Sequence, residues 1–186
     1  MDETERLIIV NSDDVPIDYK GKMVTHKEGL LHRAFSIFIF DCKRNKVLIQ
    51  KRAQCKYHSG GLWSNSCCSH MLFEKTEIEV IEESLKRELG IENVFLKTIK
   101  LGENLEFCGK FIYSSNYGMI SENEIDSVYL LHMDSNQFIK MNKDEVDDYQ
   151  WIDIDELIRW NNEHSTDFTA WFDQALKLVL MKLEER

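Results

Sequence analysis

Residues 76–90 read TEIEVIEESLKRELG, and this stretch carries the start, the apolar face and the end of one helix. Thr76 and Glu79 form the Thr-x-x-Glu pattern that caps the first turn of a helix. Gly90 is the residue type that most often ends one. Four apolar residues recur at helical spacing and would share one face: Ile78, Ile81, Leu85 and Leu89. The stretch therefore predicts an amphipathic helix that packs against the rest of the fold.

Apolar runs of strand length lie on both sides of this helix in the chain. Two of them, Phe35–Asp41 and Val47–Arg52, are joined by turn-like residues 43–45 and predict a β-hairpin. The other predicted strands are Leu7–Asn11, which runs into a turn at Asp13–Pro16, Phe107–Tyr113 and Ser127–Met133. The predicted terminal helices lie near Asp155–Asn162 and Thr169–Glu184. This order of elements predicts an α/β sandwich with a mixed sheet.

The composition fits one globular domain over residues 1–186. The chain is 43% hydrophobic, which suffices for a sizeable core, and it contains one proline and no linker-like stretch. Its 23 Lys and Arg against 33 Asp and Glu give a formal net charge of −10, which argues against nucleic-acid or anionic-membrane partners. The acidic N-terminal segment is not typical of a signal peptide, and no stretch is apolar enough to span a bilayer. We therefore expect a cytoplasmic protein.

Three histidines and two glutamates are candidate metal ligands. Glu122 and Glu124 are two residues apart, so on an extended segment both carboxylates would project from the same face. Nitrogen ligands beside them would suit Mn²⁺, Fe²⁺ or Zn²⁺ better than Mg²⁺. Taken singly, each histidine is more often an ordinary core or surface residue. The candidate histidines are His26, His32 and His70.

The thiol of Cys68 lies two positions before His70. A thiol beside a bound metal ion can act as an acid, base or nucleophile, whereas an isolated one is usually a buried structural residue. The chain has five cysteines, an odd number, and we expect them to be reduced. A non-enzymatic metal- or redox-responsive module that uses Cys67, Cys68 and the histidines is therefore one alternative.

Together these residues resemble the type I isopentenyl-diphosphate Delta-isomerases of the Nudix superfamily. The matching stretches follow the family order over most of the chain: LLHRAFSIFIF (30–40), QKRAQCKYHSGGLWSNSCCSH (50–70), KRELGIE (86–92), SENE (121–124) and DEVDDYQW (144–151). The resemblance implies a Nudix-like α/β/α sandwich with a mixed central sheet and terminal helices. It also implies the interconversion of isopentenyl and dimethylallyl diphosphate by proton transfer through a tertiary carbocation.

The resemblance implies a role for each matching residue. The catalytic residues would be Cys68, Glu124, Tyr113 and Trp171, with the Trp171 ring facing the cation. The substrate-binding residues would be Lys22, Arg52 and Lys56. The metal-binding residues would be His26, His32, His70, Glu122 and Glu124, with Glu88 helping to hold a second ion. The implied cofactors are Mn²⁺, or Zn²⁺ or Fe²⁺, at the His/Glu site and Mg²⁺ with the diphosphate. The implied partner is a small prenyl diphosphate, bound by a monomer or weak homodimer.

Departures from related patterns leave two further alternatives open. A Nudix-type diphosphohydrolase needs a glutamate-rich helix signature, and when this signature is aligned on Gly90 only Glu88 of its glutamates remains. Ser84 and Arg87 take the places of two others, which disfavours hydrolysis. Ser84 also stands where the isomerases can carry an arginine directed at the diphosphate, and Met71 stands where proline is familiar. A weakly active isomerase-like paralogue is therefore the other alternative.

Overall fold

Helices separate groups of consecutive strands along the chain. A computed structural model describes residues 5–41, 43, 45–91, 99–136 and 139–185. The strands in those ranges are β1 (Arg6–Val10), β2 (Pro16–Gly21), β3 (His32–Phe40), β4 (Lys46–Arg52), β5 (Trp63–Ser64), β6 (Cys67–His70), β7 (Leu105–Asn116), β8 (Ser121–His132) and β9 (Val146–Asp153). The helices are α1 (Lys22–Glu28), α2 (Glu77–Leu89), α3 (Ile154–Glu163) and α4 (Phe172–Glu184), with a short 3-10 turn at Ser165–Asp167.

One mixed sheet is built around β3, which is buried along almost its whole length. β3 runs parallel to β8 and antiparallel to β1, β4 and β6. The remaining pairs, β1–β2, β4–β5, β4–β9 and β7–β8, are antiparallel. The predicted hairpin is confirmed by the pairing of Ile39 with Leu48. Its predicted turn, residues 43–45, includes Arg44, which lies outside the described residues.

The sheet opens beside β3, and this opening makes room for β6. β4 pairs with the far end of β3, and β6 pairs with the near end, from Ala34 to Ile37. Ser66 bridges the point of divergence, because its hydroxyl donates to the Leu48 carbonyl at 2.5 Å and accepts from the Ile39 amide at 2.7 Å. The short strand that carries Cys67 and Cys68 is thereby anchored to both longer strands.

Helix α2 follows the sequence prediction closely. The Thr76 hydroxyl accepts a hydrogen bond from the Glu79 amide, and the Glu79 carboxylate accepts one from the Thr76 amide, which completes the capping box. Gly90 ends the helix in the left-handed conformation at φ 61°. The apolar face packs into a core with residues of β3 and β8. Its fully buried members are Ile81, Leu85 and Leu89.

The opposite face of the sheet is covered by the terminal helices. Phe172 and Val179 of α4 and Leu157 of α3 pack with Phe38 and Phe40 of β3 in a second core. Helical layers on both faces of a mixed sheet confirm the α/β/α sandwich. No helix in the described ranges is both long enough and apolar enough to cross a membrane.

Helix α4 begins three residues later than the sequence pattern predicts. The prediction started at Thr169, but the Thr169 amide donates to the Trp63 carbonyl at 2.9 Å. Phe168 also forms a parallel bridge with Trp63. Since these contacts hold residues 168–169 extended beside β5, helical geometry starts only at Phe172.

The prediction also missed strands with little apolar patterning and the short helix α1. β8 was expected from Ser127 but starts at Ser121, because its first half buries Glu122, Glu124 and Asp126 at alternate positions. Acidic residues are rare in buried strands, so a segment with several carboxylates does not predict one. The elements that the pattern did not predict are β2, α1, β5, β6 and β9.

We predict that Gly90→Ala destabilises the protein more than a left-handed backbone alone explains. A Cβ at Gly90 would collide with the carbonyl oxygen of Lys140. Gly102 (φ 84°) is the matched control, because a Cβ there meets nothing within 4 Å. Gly102→Ala should cost about 1–2 kcal/mol of the free energy of unfolding, and Gly90→Ala a further ~1–3 kcal/mol through overpacking. Urea unfolding measures both, and equal losses would contradict the collision.

Candidate active site

Five polar side chains from four elements converge on one point. His26 belongs to α1, His32 begins β3, His70 ends β6, and Glu122 and Glu124 belong to β8. One potential ligand atom from each lies within 4.8 Å of the others. The structure thus brings together the five residues that the sequence analysis named as ligands of one ion.

The backbone explains why these groups meet. Glu122 and Glu124 are alternate residues of one strand, and His32 pairs with Glu124 across the parallel β3–β8 ladder. The Nδ1 atoms of His26 and His32 contact the carbonyl oxygens of Lys22 and Leu30 at 2.6 and 2.8 Å. These contacts leave both Nε2 atoms to face the carboxylates, which is the usual arrangement of metal-ligating imidazoles.

The donor atoms fit a divalent cation. Glu122 Oε2 lies 3.1 Å from His26 Nε2, and Glu124 Oε1 lies 3.1 Å from His70 Nε2 and 3.4 Å from His32 Nε2. Despite this proximity, His26 Nε2, His32 Nε2 and both Glu122 oxygens make no hydrogen bond of good geometry. Buried polar atoms without such partners are costly, and a shared cation would satisfy them. The mixed nitrogen and oxygen set suits a transition-metal ion.

The buried carboxylates remain ionised in this setting. Burial by itself raises the pKa of Glu122, but the neighbouring imidazoles of His26, His58 and His70 lower it well below its usual range. Burial also raises the pKa of Glu124, and His32 and His70 bring it below its usual value. Both carboxylates are therefore ionised at neutral pH.

His58 is a further member of this neighbourhood that the sequence reasoning missed. Its Nε2 lies 2.9 Å from Glu122 Oε1, and its ring lies 6.0 Å from the ring of Trp171. The residue falls inside the quoted stretch 50–70, but neither its spacing nor its neighbours separated it from an ordinary loop histidine. Only the fold reveals that it approaches the first carboxylate.

The two neighbouring thiols lie on opposite faces of β6. Cys67 pairs with Ile37 and is buried in the core beneath α2. Cys68 pairs with Ser36, and Arg52 Nη1 lies 3.6 Å from its Sγ. Burial raises the pKa of the Cys68 thiol to about 12, although the Arg52 guanidinium acts in the opposite direction. Cys68 is therefore a thiol that keeps its proton and has a cation beside it.

A phenol and an indole complete this part of the site. The Tyr113 hydroxyl donates to Glu124 Oε2 at 2.5 Å. The buried Trp171 ring lies 5.8 Å from the Tyr113 ring, and the Arg52 guanidinium carbon lies 5.3 Å from its centre. Trp171 Nε1 donates to Asn65 Oδ1 at 3.0 Å, which fixes the orientation of the ring. Asn65 lies in the matching stretch 50–70, but no role in this arrangement was expected for it from the sequence.

Residues of the cluster and its surroundings line a cavity of about 500 Å³ that also has a cationic rim. Those on its wall are His58, Cys68, His70, Tyr113, Glu124 and Trp171. Lys22 lies 5.3 Å from the centre of the Tyr57 ring, and Lys56 forms an ion pair with Glu145. Glu88 lines the cavity but lies outside the His/Glu cluster, where it accepts a hydrogen bond from Gln50 at 3.0 Å. Of the three predicted substrate-binding residues, Arg52 lies beside the thiol, and Lys22 and Lys56 lie elsewhere on the wall.

Comparisons with known proteins agree with this geometry. The NUDIX domain family model matches residues 30–172. An isopentenyl-diphosphate Delta-isomerase of Burkholderia multivorans is 38% identical over 171 residues, which cover 90% of this chain and 89% of the relative. An isopentenyl-diphosphate Delta-isomerase 2 of Photorhabdus laumondii is 40% identical over 183 residues, covering 97% and 96%. The chain belongs to the isopentenyl-diphosphate Delta-isomerases of the Nudix family. This membership confirms the resemblance that the motifs indicated.

Solved structures with low identity share the fold of this isomerase family member. A Deinococcus radiodurans protein matches with a TM-score of 0.68 at 17% identity, covering 94% of this chain and 97% of that one. A MutT protein from Methanosarcina mazei matches with a TM-score of 0.60 at 14% identity, covering 79% and 91%. At such identities the likeness supports the architecture alone.

We predict that the His/Glu cluster of this Delta-isomerase family member binds a divalent ion and that His32→Ala weakens the binding. Loss of an outer-shell partner typically costs about 10–100-fold in metal affinity, and loss of a ligand should cost more. Titration calorimetry of the metal-stripped protein with Mn²⁺ or Zn²⁺ measures this affinity. The control is His164→Ala, an exposed histidine after α3, which should leave it unchanged. Equal affinity in the parent and His32→Ala proteins would contradict the assignment.

Proposed function

We propose that this chain interconverts isopentenyl diphosphate and dimethylallyl diphosphate through a tertiary carbocation, and that residues 1–186 act as one Nudix-like isomerase domain. The curated relatives carry this activity in their names. One observation supports it for this chain: a thiol, a phenol–carboxylate pair and an indole line the same cavity. The reaction moves a proton and keeps the diphosphate intact, so it requires proton carriers and a cation-stabilising surface rather than an activated water.

Cys68 is the first proposed proton carrier. Its raised pKa keeps a proton on Sγ at neutral pH, so the thiol can protonate an alkene carbon. The guanidinium of Arg52, 3.6 Å away, then stabilises the thiolate that remains. The same thiolate can take a proton back when the reaction runs in reverse.

Glu124 and Tyr113 are the second proposed carrier. Glu124 is ionised in the resting site, so it can accept the proton that leaves the neighbouring carbon. Burial and the nearby carboxylates raise the pKa of Tyr113 well above its usual value, so its hydroxyl stays protonated. This hydroxyl donates to Glu124 Oε2 and so holds the carboxylate in place. In the reverse direction, Glu124 and Cys68 exchange their roles as base and acid.

Trp171 is proposed to face the carbocation between these two transfers. A tertiary carbocation accepts no hydrogen bond, but the negative face of an indole attracts it. The ring is 3% exposed, and its Nε1–H is bound to Asn65, so it offers a fixed π-face on the cavity wall. This placement lowers the energy of the intermediate without adding a nucleophile that could trap it.

The diphosphate is proposed to bind at the cationic rim of the cavity. Lys22, Arg52 and Lys56 supply positive charge to its oxygens. When bound, divalent ions supply further charge neutralisation, with Mn²⁺, or Zn²⁺ or Fe²⁺, held by the His/Glu cluster and Mg²⁺ held with the diphosphate beside Glu88. The acidic groups on the cavity wall make this neutralisation necessary, since Glu88 and Glu145 would otherwise repel the substrate.

Hydrolysis of a diphosphate is the rival reaction on this fold. It would need carboxylates at positions of α2 where this chain has Ser84 and Arg87. Both residues line the cavity, and Arg87 brings a positive charge where a metal-binding carboxylate would be required. The isomerase is therefore favoured over the hydrolase.

We predict that the metal-loaded protein converts isopentenyl diphosphate into deuterium-labelled dimethylallyl diphosphate in D₂O, without release of phosphate. Proton and phosphorus NMR follow both products in one sample. Release of inorganic phosphate or diphosphate would instead identify a hydrolase. Unchanged substrate would contradict the proposal and indicate a diverged paralogue.

We predict that Cys68→Ala lowers kcat by about 10²–10⁴-fold, the usual contribution of a positioned acid or base. Cys67→Ala is the matched control, because its thiol lies on the α2 side of the same strand. This variant should retain turnover at somewhat lower stability. The NMR assay measures turnover, and circular dichroism checks that both variants fold. The opposite ranking of the two variants would assign the chemistry to Cys67.

A further inference from the structure

Arg87 lines the cavity from α2, and the reaction proposed above gives it no task. Its side chain is 39% exposed, so the helix does not need it for the core. It is nevertheless held from several sides, unlike a solvated surface arginine. These contacts concentrate on one edge of the guanidinium.

Two hydroxyls orient the guanidinium of Arg87. Its Nη2 donates to Ser69 Oγ and to Ser84 Oγ, both at 3.2 Å. Ser69 lies on β6 between Cys68 and His70, and Ser84 lies one turn earlier on α2. The arginine therefore spans from the helix to the strand that carries the thiol. Because the guanidinium is already oriented, it loses little conformational freedom when it binds an anionic group through two parallel hydrogen bonds.

Arg87 also lies close to carboxylates at the rim of the cavity, and Lys56 shares one of them. Arg87 Nη2 lies 3.4 Å from Glu88 Oε1, and its Nε lies 3.9 Å from Glu145 Oε1. The other oxygen of Glu145 contacts Lys56. Two cations from different elements thus approach one carboxylate at the rim of the cavity. A phosphoryl group presents the same kind of acceptor oxygens and carries more charge, so it can engage both cations.

We infer that Arg87 binds the diphosphate group of the substrate together with Lys56, and that Ser69 and Ser84 orient it for this task. The inference rests on the proposed function, because it takes a prenyl diphosphate as the ligand. It also explains the serine at position 84. The isomerases that the chain resembles can carry an arginine there, whereas this chain has an arginine one helical turn later, hydrogen-bonded to that serine.

The test is binding of inorganic diphosphate, with Mg²⁺ present, by titration calorimetry. Arg87→Gln should raise Kd by about 10–100-fold, the worth of charge-assisted hydrogen bonds. Arg87→Lys should recover part of the affinity, since it keeps the charge but loses the planar fork. Lys86→Gln is the control, because this exposed neighbour on α2 does not line the cavity. Thermal unfolding checks that each variant is folded.

Steady-state kinetics distinguish a role of Arg87 in substrate binding from a purely structural role. Arg87→Gln should raise KM for isopentenyl diphosphate by about the same factor as Kd and change kcat little. If Arg87 only tied α2 to β6, kcat would fall while the affinity for diphosphate stayed at the parent value, and this result would overturn the inference.

The outcomes for the two proposals are distinguishable. A parent protein that does not isomerise, combined with weaker diphosphate binding by Arg87→Gln, would overturn the proposed function and support Arg87 as an anion-binding residue. A parent protein that isomerises, combined with an unchanged Kd in Arg87→Gln, would overturn the inference on Arg87 alone.

Discussion

Two carboxylates buried among imidazoles are the constraint on which the rest of this structure depends. Glu122 is 1% exposed and Glu124 is 6% exposed, and removal of such groups from water costs several kcal/mol each unless positive charge faces them. The compensating groups come from α1, β3 and β6, so these three elements must meet β8 at one point. The packing of the sheet and the chemistry of the site are therefore consequences of the same electrostatic requirement.

The central strand β3 determines where Cys68 and Glu124 lie relative to each other. It pairs with β6 on one side and with β8 on the other, so Cys68 and Glu124 reach the same cavity from strands that flank it. β6 can lie there only because β4 leaves β3 early, with Ser66 bridging the gap. An allylic proton shift needs one proton carrier on either side of the substrate, and the two proposed carriers, Cys68 and Glu124, belong to strands on either side of β3.

Much of the fold could be predicted from the sequence where the signal is local. Helix α2 carries its cap, apolar face and terminal glycine within residues 76–90, and the structure has all three. The start of β8 was missed because its inward positions hold carboxylates, whose burial depends on partners far away in the chain. The proximity of His58 to the site and the role inferred for Arg87 could not be predicted for the same reason. The contacts of His58 to Glu122 and of Arg87 to Ser69 join distant segments, and no spacing encodes them.

The side chain of Asn65 connects β6 with the residue that precedes α4. Its Nδ2 donates to the carbonyl of Cys67 at 2.6 Å, and its Oδ1 accepts from Trp171 at 3.0 Å. A single carboxamide thus links the strand that carries Cys68 to the indole that precedes α4. The orientation of the Trp171 ring is therefore fixed by a side chain that belongs to neither of the two elements it joins, so the order of the terminal segment and the order of β6 depend on each other.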